Sequence, residues 1–168
     1  MRSPATRTRL GAFTLALAAA LVVGGCSTPK TASGTLDEGK EQVKQLVLEA
    51  AREIPAVEPF TPPTIVGTQP CRKTAFGFVV GRTGAHRAEV PLIVKVEPGT
   101  GRHLLDVIGD AWTSAGYELD DSRLGEPGFP QLRAHTPDGY EVVATALTRS
   151  SEHSQINLYA VSQCLSDD

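Results

Sequence analysis

The 168-residue sequence predicts an α+β fold of two layers, an antiparallel sheet of about five strands with one or two helices on one face. Three observations carry this. Five short stretches alternate apolar and polar residues with the period of a half-buried strand. Two longer stretches repeat apolar residues at the period of an amphipathic helix, with start and stop signals at their ends. Glycine-rich and Asp-Gly turn signals separate strand from strand, which favours hairpins over the long crossovers of a parallel sheet. The roughly 95 to 130 residues holding these patterns are enough for a single core.

The chain opens on a segment outside that fold. Arg2, Arg7 and Arg9 stand in residues 1–9 without an acidic residue, and Leu10–Val23 is apolar or small throughout. That run is too short to span a bilayer comfortably. A basic start, a short apolar stretch and a small-residue end read together as a secretory signal. Val23-Gly24-Gly25-Cys26 then resembles the lipobox of bacterial lipoproteins: an aliphatic residue at −3, small residues at −2 and −1, and Cys at +1.

The resemblance covers residues 1–27. It implies that residues 1–25 are a lipoprotein signal peptide, cleaved at Gly25–Cys26, and that Cys26 carries diacylglycerol on its sulfur as the mature N-terminus. The residue types suit the chemistry, because the thiolate is the good nucleophile and small neighbours let the segment unwind into a peptidase. At about 0.8 kcal/mol per buried CH₂, two acyl chains hold a protein where one lets it leave. A plain signal peptide with an incidental cysteine and an uncleaved anchor are the blander readings. The implied partner is a lipid bilayer, reached through the diacylglyceryl anchor on the extracytoplasmic face of the cell membrane. Ser27 at +2 is not Asp, so a diderm host would send the protein to its outer membrane.

Residues 26–35 read as the lipidated cysteine and a flexible polar tether. Thr35 with Glu38 three residues on is a capping box that opens a helix over 36–54. Val43, Val47, Ala50 and Ile54 share its apolar face, and Pro55 stops it. Residues 55–70 are rich in proline and form an extended connector. The α+β domain proper occupies 71–168. Its first strand, 74–80, alternates Phe76, Phe78 and Val80. Its second, 89–96, alternates Val90, Leu92, Val94 and Val96, with Pro91 marking an edge strand. The glycines of 81–88 make the hairpin between them. Thr100 caps a second helix with Leu104, Ile108, Ala111 and Ala115 on its buried face, Trp112 alongside, and Gly116 as its stop. Residues 117–121, 131–135, 140–148 and 155–162 are further strands, and Thr136-Pro137-Asp138-Gly139 is a turn.

The cysteines are three: Cys26, Cys71 and Cys164. If lipid takes Cys26, the remainder is even, and export permits a Cys71–Cys164 disulfide. Two reduced thiols remain the alternative, and a metal site needs more ligands than these two. Cys71 precedes the first strand and Cys164 follows the last. A bond between them suggests that 74–80 pairs with 155–162, giving the order 89–96, 74–80, 155–162, 140–148, 131–135.

Charge narrows the function classes. Removing residues 1–25 takes away three arginines and no acid, which moves the formal charge from −3 to −6. An acidic domain without Lys/Arg clusters is a poor ligand for nucleic acid. The glycines of 97–103 precede a helix N-terminus, yet the spacing and lysine of a phosphate-binding loop are missing. His103, Asp106 and Asp110 share a helix face, and Asp120 or Asp121 would have to complete a metal site there; a solvated helix face explains them as well. Glu118 with Asp120 or Asp121 could split their pKa values for acid–base work, and a polar strand end is the plain alternative. His86, His135 and His153 are scattered, and Ser150, Ser151 and Ser154 lie in a turn. Phe76, Phe78, Trp112 and Tyr159 fit core positions. No cofactor motif is present.

Lipobox, tether, capped helix, proline-rich link and terminal Cys164 together resemble the small uncharacterised envelope lipoproteins of high-GC Gram-positive bacteria. The resemblance implies a location and assigns no site beyond Cys26. The expected function is a membrane-anchored, non-catalytic binding or assembly role, with an envelope protein or wall polymer as partner. A carrier of an apolar ligand between sheet and helices, and an envelope hydrolase using 118–121 with His103, are the alternatives.

Overall fold

A computed structural model describes residues 34–75, 78–150 and 153–166; Cys26 and its signal lie outside them. The first helix, α1 (Leu36–Arg52), starts where the capping box predicts. The Thr35 N–H donates to Glu38 Oε2 at 2.9 Å, and the Glu38 N–H donates back to Thr35 Oγ1 at 3.3 Å. Val43, Val47, Ala50 and Ile54 are all buried. The helix ends before Pro55, whose ring disfavours helical geometry at the preceding residue.

One antiparallel sheet of six strands follows: β1 (Gly67–Ala75), β2 (Phe78–Val96), β3 (Glu118–Asp120), β4 (Gln131–His135), β5 (Glu141–Ser150) and β6 (His153–Val161). Their spatial order is β1-β2-β6-β5-β4-β3. The fold is α+β, as expected, with six strands in the sheet against the expected five or so.

Alternation along the strands fixes which side is buried. Val90, Leu92, Val94 and Val96 of β2 lie beside Ile156, Leu158 and Ala160 of β6, then Val142, Ala144 and Ala146 of β5, then Leu132 and Ala134 of β4. Both helices share the core with this face, α1 through Val43, Leu46, Val47 and Ala50. The second helix, α2 (Gly101–Ser114), adds Leu104, Leu105, Ile108 and Trp112. Two layers result. The sheet–helix interface is filled by these side chains, each at most 6 % exposed, so it gives the apolar-carrier reading no support.

The ends of α2 divide into one expected feature and one not. The Tyr117 N–H donates to Trp112 O and the Gly116 N–H to Thr113 O, with Gly116 at φ 81°. This double closure requires a left-handed residue, which glycine takes without penalty, and it brings the Trp112 and Tyr117 rings to 6.5 Å. Thr100 stands at the N-cap but makes no side-chain cap; its hydroxyl donates to Glu97 O at 2.7 Å. Ala111 is half-buried and Ala115 exposed, so the buried face is narrower at its end than the spacing implied.

The strand order departs from the expectation. Residues 81–88 form no hairpin; they run through the middle of β2. The hairpin closes instead where Ala75 pairs with Phe78. β2 is therefore long enough to pair with β1 along its first half and with β6 from Glu89 to Val96. The proposed 74–80 to 155–162 pairing is replaced by Val90–Ala160 and its neighbours. The edge reading of Pro91 nonetheless survives, because β1 stops pairing at Glu89 and leaves this part of β2 without a strand on that side. Side-chain positions for Phe76, Phe78 and Val80 lie outside the described residues.

The disulfide is present, with Cα atoms 6.0 Å apart across a sequence separation of 93. It joins the two neighbours of β2. Cys71 lies in β1, while the chain after β6 returns along the other side of β2, where His86 and Leu165 exchange backbone hydrogen bonds at 2.9 and 2.8 Å. The register shifts between Pro70 and Arg72, and Gly84 at φ 83° lies in that stretch of β2. A bulge bends a strand locally, which is how two cysteines flanking a third strand come within bonding reach.

Candidate functional site

No helix packs on the second face of the sheet among the described residues. Its composition follows from the registers above. Glu89, Pro91, Ile93 and Lys95 of β2 stand beside Val161, Tyr159, Asn157 and Gln155 of β6. Beyond these come Glu141, Val143, Thr145 and Leu147 of β5, then His135, Arg133 and Gln131 of β4. Apolar groups are spread across it: Ile93, on the strip of β2 that β1 leaves unpaired, is 54 % exposed, Leu147 and Val161 are half-buried at opposite ends, and Val143 is buried beside Tyr159.

Polar side chains are fixed between these groups. The Tyr159 hydroxyl donates to Glu89 Oε2, which also accepts from Gln69 Nε2 at 2.8 Å. Burial, then the Glu89 carboxylate, push the phenol up to about 12. Arg133 Nη1 lies 3.3 Å from Glu141 Oε1. Gln155 Nε2 donates to Asn157 Oδ1 at 2.6 Å, and Gln131 Nε2 to Thr145 Oγ1 at 3.2 Å. Cys71, Ala85 and Cys164 form a separate small buried cluster. Ala85 follows the alternation of Arg87 and Glu89, so the disulfide closes one end of this face. Tyr159 thus belongs to the open surface and not to the core; its alternation with Ile156 and Leu158 carried that information.

The residues considered for catalysis or metal binding do not converge. His103, Asp106 and Asp110 are exposed along α2, with Asp106 Oδ1 3.5 Å from Arg102 Nε. Glu118, Asp120 and Asp121 are exposed at the far edge of the sheet. Asp120 accepts the Ser122 N–H at 3.0 Å, and its hydrogen bonds to Ser122 hold its carboxyl below the ordinary value, the opposite of what a general acid requires. His86 is half-buried in β2 and His135 exposed at the end of β4. Ser154 lies in β6 and not in a turn, buried on the helix-covered side; its hydroxyl has no partner among the described residues. The side chains of His153 and Ser150, and all of Ser151, lie outside the described residues. No group of three His, Cys, Asp or Glu placed to hold a metal occurs among the described residues. The glycine turn of 97–103 works as a turn: Glu97 O accepts the Thr100 N–H at 3.3 Å, and the start of α2 at Gly101 approaches Ala146 so closely that an added Cβ would sit 3.0 Å from it.

The fold and this surface define a two-layer α+β module, one face of which carries no helix among the described residues. No protein-family model matches the chain, and neither a curated protein nor a solved structure is significantly similar to it.

Proposed function

We propose that the chain is a membrane-anchored extracytoplasmic lipoprotein with a non-catalytic binding or assembly role in the cell envelope, and that the helix-free sheet face is its contact surface. The N-terminal sequence supports the anchor, since a basic start, a short apolar run and Cys26 occur in the order that lipidation demands. The disulfide fits an oxidising compartment. The observation that carries the binding role is the open face itself. It joins exposed apolar groups such as Ile93 to side chains whose hydrogen bonds hold them in place, which lowers the ordering cost a partner must overcome. From Cys26 to Thr35 the chain can reach at most about 30 Å when extended, so the module works close to its bilayer.

Site-specific photo-crosslinking in the producing cells tests this. A crosslinker at Ile93 or Leu147 is expected to trap an envelope protein or wall polymer, and one at Asp110 on α2 to trap neither. Equal trapping from both faces, or none from the sheet, contradicts the assignment.

A further inference from the structure

Beside the start of α1, the turn between β4 and β5 bounds a cleft of about 520 Å³ that is open to solvent. Its size falls in the range that small-ligand sites occupy, and its lining is chemically one-sided. Asp138 contributes a carboxylate with no hydrogen-bond or ion-pair partner among the described residues. Glu38 uses Oε2 on the Thr35 N–H, leaving Oε1. Gln163 donates Nε2 to Asp138 O at 3.0 Å, which orients its amide and leaves Oε1 as an acceptor. Gly139, at φ 84°, lets this amide lie close, since a Cβ there would meet Gln163 Oε1 at 3.0 Å. Gln42 has both amide atoms unused among the described residues. The Tyr140 ring packs partly against the core, and its phenol is raised by burial, then by Asp138 and Glu38, so it remains a donor at neutral pH.

Among the described residues, acceptors therefore outnumber donors, and no lysine or arginine lines the cleft. Two carboxylates without a cation repel phosphate, sulfate or a uronic acid. Hydroxyl donors suit this inventory. We infer that this cleft is a binding site for a neutral saccharide, an end or short run of a hydroxyl-rich glycan. The inference rests on the proposed envelope role only for where such a glycan would be met.

The test is a titration of the ¹⁵N-labelled full chain in detergent, followed by amide shifts. Maltotriose and N,N′,N″-triacetylchitotriose are the neutral probes, trigalacturonic acid the anionic one and spermidine the cationic one. At least one neutral trisaccharide is expected to give saturable shifts at Asp138, Gly139 and Gln163, and the acid none. Gln42→Ala, on an exposed helix position, and Tyr140→Phe, which keeps the ring, are each expected to weaken binding about three- to tenfold, the worth of one hydrogen bond. No response to either neutral sugar overturns the inference. So does a response to spermidine alone, an equal response to the acid, or sugar binding that both variants leave unchanged. Binding is measured whether or not Cys26 is lipidated, so its failure leaves the anchor standing, and a failure of the anchor in the native protein leaves the cleft's binding unchanged.

Discussion

Removing the disulfide should cost this fold a large part of its stability. Replacing both partners, Cys71→Ala with Cys164→Ala, frees an unfolded chain that the bond closes into a loop of 93 residues. Loop-closure entropy for that length is about 4.7 kcal/mol at 25 °C. Residual structure in the unfolded chain subtracts from this, so roughly 3–4 kcal/mol is the expected loss. A domain of this size loses about 4 °C of melting temperature per kcal/mol, and the midpoint should fall by roughly 12–16 °C. Thermal unfolding followed by circular dichroism reads it directly, with the unreduced and reduced parent protein as flanking controls. The reduced parent should melt beside the double variant. A fall of less than about 3 °C would refute the reasoning, because a bond that constrains the unfolded chain this much cannot be thermally silent.

Three further outcomes follow from particular contacts. Gly39→Ala should destabilise although alanine is worth about 1 kcal/mol in a helix interior, because its Cβ would lie 2.1 Å from Cδ1 of the fully buried Leu165. In a Leu165→Ala background the same change should become neutral or stabilising, and a denaturation double-mutant cycle checks the reversal. Leu105→Ala should cost about 2–5 kcal/mol, since Leu105 is fully buried between α2 and the sheet; urea unfolding measures it. The raised phenol of Tyr159 favours its protonated form in the folded state. Its contribution is complete below the ordinary value of 10.0 and is lost as pH rises through about 12. Absorbance titration of the tyrosinate should show a midpoint that Glu89→Gln moves back toward 10.0, and an unchanged midpoint would mean that the Glu89 hydrogen bond is not responsible.

Local signals in the sequence were reliable where one physical cause acted alone. Thr35 and Glu38 cap α1 because a capping box needs only four consecutive residues. Gly116 ends α2 because only a left-handed residue closes the helix that way. β4 matches 131–135 because its alternation is uninterrupted. The failures fall where one residue type serves two purposes. Glycines of 81–88 read as a hairpin, but Gly84 supplies a positive φ within an irregular long strand. β1 went unread because Gly67-Thr68-Gln69-Pro70 lacks alternation, as an outer strand permits. Without β1 the strand order goes astray, since the disulfide then reads as joining adjacent strands while it in fact reaches across β2. Of the candidate surface, its residues were visible as the polar half of each alternation. That the two helices leave them uncovered is a tertiary fact, decided by which face both helices choose.

The anchor at Cys26 is the claim on which the envelope role depends, and intact mass of the native protein after phase separation tests it most directly. The expected result is material in the detergent phase that begins at Cys26 and carries the added mass of a diacylglyceryl group on that residue. An aqueous protein that retains residues 1–25, or one with a bare thiol at Cys26, would contradict it.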